Sequence, residues 1–279
     1  MSAEANVPAT LIRPSRGWSA LNLGELWRYR ELIFFLTWRD VMVRYKQTLL
    51  GAAWAILKPF LTMVIFYFVF DRLASVPTDG YPGPIFYFSG LLPWILFQEG
   101  VTKAGNSLVT GANLITKVYF PRLSIPLASV VSGLVDFGLS FIVLVGMMVA
   151  YGVPFSARLL AVPLFILLAL VTALGVGLWV SAMNVTYRDV GHVVPFAVQA
   201  WMYASPIVYS VNLITDPLWR WVYGLNPVAG VVMGFRWAIL GGTAFPAVLV
   251  LESTVVSLLL LASGALYFRR MERTFADVV

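Results

Sequence analysis

Six apolar runs, each approaching the roughly 20 residues a helix needs to cross a hydrocarbon core, leave this chain few folds to adopt. They lie at about 51–70, 85–102, 127–151, 159–183, 192–208 and 245–268. Composition points the same way. Hydrophobic residues make up 60% of the chain and charged ones 11%, with a mean hydropathy of +0.84, against about 45–50% and about 25% in a soluble domain. The expected fold is an all-α integral membrane protein with six transmembrane helices.

The residue inventory excludes several chemistries. There is no Cys and a single His, His192, so disulfides, thiol catalysis, Cys-ligated metals and any multi-histidine site within this chain are ruled out. No Gly-Lys pair occurs, which removes a Walker A phosphate loop; HExxH and a nucleophile elbow are also missing. ATP hydrolysis, if the protein depends on it, must come from another polypeptide, and this chain is expected to bind no cofactor or metal of its own.

In chain order, residues 1–21 carry Pro8, Pro14, Arg13 and Arg16 without the apolar core of a signal peptide and read as a cytoplasmic tail. Residues 22–48 have helical periodicity, with Asn22 as a cap. Trp27, Phe34, Trp38, Val41 and Tyr45 fall on one face, Arg28, Glu31 and Arg39 on another, and Asp40–Arg44 forms an i,i+4 pair. So many charges argue against spanning, and the segment is expected to lie in the membrane interface. The membrane domain, 49–268, opens with Lys58 and Pro59 near the start of its first run, and Gly90 and Pro93 interrupt the second. Between the second and third runs, Asn113–Tyr119 is predicted as a short helix capped by Asn113. Residues 209–245, with Pro217, Trp219, Trp221, Tyr223, Asn226–Pro227, Arg236 and Trp237, hold apolar pieces too short to span. They read as two half-helices re-entering from one side, which must be covered by protein or line a wet cavity. Residues 269–279 form a second cytoplasmic tail.

Charge sets the topology. Six spans put both termini on one side, which then carries fifteen Lys and Arg against four (Arg72, Arg158, Arg220, Arg236) on the other. The positive-inside rule places both termini in the cytoplasm. It also explains the net charge of +6 without nucleic acid, which is not an expected partner.

Two constellations stand out. Asp136 lies inside the third run, and intramembrane carboxylates are functional suspects. It is either a coupling group for an ion or a buried charge paired to a neighbouring helix, and its isolation in the sequence favours pairing. Glu99 and Glu252 fall near run ends, where solvated positions are expected; His192 reads as an interfacial side chain. The second constellation is aromatic: Trp201, Tyr203, Tyr209, Trp219, Trp221 and Tyr223 offer ring faces with polar tips that suit a lining for sugar rings, with interfacial belt residues as the competing reading.

RYKQTLLGAAWAILKP (Arg44–Pro59) resembles the opening segment of ABC-2 type permeases that export polysaccharides such as O-antigen, capsule or teichoic acid. NLITKVYFPRLSIPLA (Asn113–Ala128), VDFGLSFIVL around Asp136, TYRDVG (Thr186–Gly191), SPIVYS (Ser205–Ser210) and Asn226–Pro227 resemble the same family in the same order, so the likeness runs from about residue 22 onward. It implies a homodimer of six-span subunits joined to two copies of a separate ATPase that binds ATP and Mg. The cargo would be a lipid-linked glycan, in an inner membrane whose lipids the interfacial helix contacts through Trp27 and Trp38. The resemblance also implies ATPase contacts through Arg28, Arg39, Asn113, Lys117, Tyr119, Arg122, Arg188 and Asp189, bends at Gly51 and Pro59, and a substrate conduit lined by the six aromatics above. Three other readings stay open: an ABC-2 exporter of a drug or small lipid, an ion-coupled carrier resting on Asp136, and a membrane enzyme acting on lipid-linked sugars.

Overall fold

The computed structural model describes residues 23–46, 51–117, 120–242, 244–272 and 275, and among them the chain is helical throughout, with no strand. The helices are α1 (Leu23–Arg28), α2 (Arg30–Lys46), α3 (Ala53–Phe66), α4 (Gly83–Thr110), α5 (Ala112–Lys117), α6 (Ser124–Val131), α7 (Gly133–Ala150), α8 (Val162–Thr186), α9 (Val190–Tyr203), α10 (Pro217–Gly224), α11 (Pro227–Leu240) and α12 (Ala247–Met271). α3 continues as a π-helical stretch, Tyr67–Leu73. Residues 1–22, 47–50, 118–119, 243, 273–274 and 276–279, which include the whole N-terminal tail and part of the C-terminal one, lie outside the described residues.

Among the described residues, four segments are long and apolar enough to cross a membrane: Ala53–Leu73, Ser124–Ala150, Ala157–Thr186 and Ala247–Met271. The second and fifth expected spans take other forms. α4 is 28 residues long, well past the predicted end at Thr102, but Gln98, Glu99, Lys103 and Asn106 make its second half polar. α9 has only 14 residues and stops at Tyr203 rather than near Val208. It stops because Asn226 donates to the carbonyl of Ala204 (3.1 Å) and Arg236 donates to those of Pro206 and Ile207 (3.0 Å each). Those side chains give the backbone an alternative to helical pairing.

α4 is the central post. It touches α3, α6, α7, α8, α9 and α11, and every residue from Ile85 to Trp94 is buried. α8 and α12 cross closely at Gly175, where an added Cβ would meet the backbone of Leu260 and Leu261 at 2.9 and 2.7 Å. Such small-residue crossings are how apolar helices gain dispersion contact where lipid offers no hydrophobic driving force. The Thr172 and Ser257 hydroxyls join the same two helices at 2.8 Å.

The short helices carry their own start signals. α10 is capped by Asp216, whose carboxylate accepts from the Leu218 amide (2.8 Å), and α11 by Asn226, which accepts from Val228 (3.1 Å). Pro follows each cap, where its missing N–H costs nothing. α11 is buried along nearly its whole length, as the sequence requires of an apolar piece too short to span.

Four local expectations change. The helix over 22–46 breaks at Tyr29 into α1 and α2, and α5 starts at Ala112, so Asn113 lies inside it rather than capping it. The faces of α2 also differ from the predicted ones. Trp27, Phe34 and Trp38 are exposed at 72%, 70% and 52%, whereas Val41 is buried. Of the predicted polar face, Arg28 and Glu31 stay exposed, and a different polar row turns inward because it finds partners there: Thr37 donates to the Ala128 carbonyl (3.4 Å), Asp40 accepts from Ser129 (3.2 Å), and Arg44 donates to Ser132 (3.2 Å). The predicted Asp40–Arg44 pair does not form; Asp40 pairs with Arg39 at 2.9 Å, and Arg44 reaches across to another helix.

Candidate functional site

Asp136, solitary in the sequence, sits at the centre of an ionic chain. Its carboxylate accepts from Arg44 and Tyr45 at the end of α2 and from Lys103 of α4 at 3.2 Å. Lys103 also pairs with Glu99 one turn earlier (2.7 Å), and Glu99 with Lys58 of α3 (3.2 Å). The order is therefore Arg44–Asp136–Lys103–Glu99–Lys58, three cations alternating with two anions and drawn from four helices. Glu99, expected to be solvated, is a half-buried member of it. Tyr45 has its phenol pushed up to about 12, first by burial and then by its bond to Asp136, so it remains a proton donor throughout the physiological range. Both Asp136 oxygens are committed to neighbouring helices, the pairing reading of this residue rather than that of an ion carrier. Sequence reasoning missed the cluster because its members are scattered over 93 positions, 44 to 136. The available signal was that Arg44, Lys58, Glu99 and Lys103 lie at or near run ends on the same predicted side, and that Asp136 lies in the half of the third run nearer that side.

The chain of charges borders a cavity of about 480 Å³ that is also lined by Gly51, Trp54 and Pro59. Gly51 adopts φ +45°, a left-handed conformation unfavourable for residues with a Cβ, and Pro59 is buried inside α3. Both expected bend positions thus lie on one cavity wall. Gly51→Ala should cost about 1–2 kcal/mol although its methyl group would meet nothing within 4 Å. Thermal unfolding in detergent should rank wild type above Gly51→Asn, and Gly51→Asn above Gly51→Ala, because Asn tolerates this region better.

The aromatic set divides in two. Trp201, Tyr209, Trp219 and Tyr223 line a second cavity of about 670 Å³ together with Asn226 and Asp216. There the Tyr209 and Tyr223 hydroxyls are 2.9 Å apart and the Trp201 indole donates to Asn226 at 3.1 Å. Trp221 faces away, toward a third cavity of about 650 Å³ shared with Arg236, Trp237 and Phe245. Tyr203 is 54% exposed and enters only through its carbonyl, which accepts from Tyr209 (3.4 Å). The helical period explains both exclusions: residues two apart (201 and 203, 219 and 221) point about 200° apart, whereas 219 and 223 share a face.

The residues expected to meet an ATPase gather less tightly. Arg28, Asn113, Arg188 and Asp189 are exposed, and Arg39 is paired with Asp40. Arg122 instead donates to the Glu272 carbonyl past the end of α12. Tyr119 and the Lys117 side chain lie outside the described residues. What draws these segments together is a separate apolar cluster in which Leu36 of α2, Phe120, Leu123, Phe268 and Phe275 are all buried.

Comparison with known proteins fits this architecture. Residues 31–240 match the family described as ABC-2 type transporter. The chain is 30% identical over 257 residues to the O-antigen export system permease protein RfbA of Myxococcus xanthus, covering 91% of this chain and 98% of that one. It is 28% identical over 260 residues to a Klebsiella pneumoniae protein of the same description (92% and 97%), and 21% identical over 235 residues to the polysialic acid transport protein KpsM of Escherichia coli (84% and 91%). The chain belongs to the ABC-2 type transporter family, among its polysaccharide-export permeases.

Proposed function

We propose that this protein is the membrane-spanning subunit of an ATP-driven exporter that moves a lipid-linked polysaccharide of the O-antigen type across a bacterial cytoplasmic membrane. The observation that carries the reading is the near end-to-end similarity to two O-antigen export permeases. In this reading α4 and α9 complete a set of six spans, α10 and α11 re-enter from the outer side, and both termini are cytoplasmic, as the charge asymmetry requires. The subunit works as a homodimer with two copies of a separate ATPase that bind ATP and Mg. α1, α2, α5 and the turn at Arg188–Asp189 face that motor. The exposed aromatic row of α2 rests in the lipid interface, where Trp and Phe are favoured. Residues 1–21 and 269–279 are cytoplasmic tails.

The glycan passes the aromatic cavity, where Trp219 and Tyr223 present ring faces and Asn226 and Asp216 present hydrogen-bonding groups. An aromatic contact contributes about 0.5–1.5 kcal/mol beyond area burial, so Trp219→Ala should lower glycan flux about 2–12-fold. Trp221→Ala, on the opposite face of the same exposed helix, should lose less. Flux of a labelled lipid-linked glycan into inverted vesicles compares the two.

The reading as a whole is tested by co-reconstituting this chain with its partner ATPase. ATP-dependent movement of a lipid-linked glycan to the far leaflet is the expected result. Movement of small lipids or drugs without glycan would replace this reading with a different ABC-2 cargo. Glycan modification without ATPase would replace it with an enzyme.

A further inference from the structure

The ionic chain Arg44–Asp136–Lys103–Glu99–Lys58 has one cation more than it needs. Lys103 lies within reach of both anions, 2.7 Å from Glu99 and 3.2 Å from Asp136, and Glu99 has Lys58 as a second partner. If Arg44 withdraws, Lys103 answers Asp136 and Lys58 answers Glu99, and neither carboxylate is orphaned. Lys103 has no such surplus. If it is lost, Arg44 becomes the only cation on Asp136. The cation in excess is therefore the one at the end of α2, and it leaves together with its neighbour Tyr45, which binds the other oxygen of the same carboxylate.

From this arrangement we infer that Asp136 is a positioning residue that holds α2 in one of two places. In the place seen here Arg44 and Tyr45 clamp Asp136. In the other, α2 has moved off, Lys103 carries Asp136 alone, and the wall of the 480 Å³ cavity that Arg44 and Tyr45 supply is withdrawn. An equilibrium between such states needs no large energy gap, since a partner that prefers one state by a few kcal/mol shifts the populations. The attachments of α2 suit this role. Apart from the clamp, it packs on α6 through Thr37 and Asp40, each at the long end of hydrogen-bonding range, and through the buried Leu36 and Val41, apolar contacts that have no fixed direction; its outer face is bare aromatic surface. Breaking a half-buried ion pair normally leaves an uncompensated charge; here the lysines supply the compensation in advance. The link from this movement to export rests on the function proposed above, whereas the movement itself does not.

The decisive feature is that loss of different members of one cluster has opposite effects. Arg44→Gln and Asp136→Asn release α2, while Lys103→Gln locks it, because withdrawal of Arg44 would then strand Asp136. The chain contains no cysteine, so spin labels at Val43→Cys on α2 and Ile142→Cys on α7, 71% and 69% exposed in the native protein, report the distance directly. The measurement is made on the full chain in lipid nanodiscs without ATPase. The displaced population should rise about tenfold in the Arg44 and Asp136 variants and fall below the wild-type level in Lys103→Gln. A shift in the same direction for all three, or an unchanged distribution, overturns the inference, since a merely structural cluster loosens whichever member is lost. In the complex with ATPase, Asp136→Asn should keep ATP hydrolysis while glycan moved per ATP falls. Release of α2 with normal glycan per ATP overturns the role in coupling. Absence of glycan movement in the wild type overturns the proposed function and leaves the distance result standing.

Discussion

Arg236→Met should loosen the end of the bundle where α9 stops, at a cost of about 2–5 kcal/mol. Arg236 is 5% exposed. Its guanidinium donates to the carbonyls of Pro206 and Ile207 at 3.0 Å and of Phe86 at 3.4 Å, and lies 3.8 Å over the Phe86 ring. Methionine fills much of the same volume but donates nothing, so at least two buried carbonyls lose their partners, at about 1–3 kcal/mol each. Gly90 supplies a second handle on the same contact. A methyl group there would collide with the Arg236 guanidinium, so Gly90→Ala should produce the same loss by displacing the arginine. Because both changes break one interaction, the double variant should be only slightly worse than either single variant. Thermal unfolding in detergent measures the cycle. Additive losses would mean that Gly90 and Arg236 act independently, contrary to this packing.

Asn226→Ala should be nearly as costly and should also deform the aromatic cavity. One side chain here does four things. Its oxygen caps α11 at Val228 and accepts from the Trp201 indole, both at 3.1 Å, while its amide donates to the Ala204 carbonyl (3.1 Å) and the Ser205 hydroxyl (3.0 Å). Loss of a cap alone costs about 0.5–2 kcal/mol, and the Ala204 carbonyl and the Trp201 indole lose their partner as well. The expected total is about 2–4 kcal/mol. Asn226→Asp should restore the cap but not the donations, and so recover only part of the loss. Full recovery by Asp would show that the cap is all that matters. Tryptophan fluorescence gives a second readout, since Trp201 loses a fixed hydrogen bond in Asn226→Ala and keeps it in Asn226→Asp.

These two sites show how far the sequence could be read. Asn226–Pro227 carries a helix-start signal of its own, since Asn followed by Pro is a local signal with a local cause, although run length alone places the pair only within the re-entrant segment. That the same Asn holds the end of α9 was not visible, because Ala204 and Ser205 lie more than twenty residues away and nothing in their spacing announces the contact. Arg236 was visible only as one charge among four on the outer side. Its burial depends on three carbonyls from two distant segments meeting at one point.

Among the aromatics, helical spacing alone already separates Trp219 and Tyr223 from Trp221, but only packing shows that Trp201 and Tyr209 join the first pair. The length and apolarity of the runs determined by themselves that the chain is helical and belongs in a membrane, because hydrocarbon leaves a backbone only helices or closed barrels for pairing its polar groups, and continuous apolar runs of about 20 residues suit the helix. They also located the stretch from Arg44 to Pro59 as the passage from polar to apolar sequence. Only the tertiary structure decided what that stretch holds on to. Asp136 reads as solitary along the chain because its partners come from two other helices, α2 and α4. Ion pairs form between charges close in space, whatever their separation in sequence, and that distance is set by the packing of α2, α3, α4 and α7.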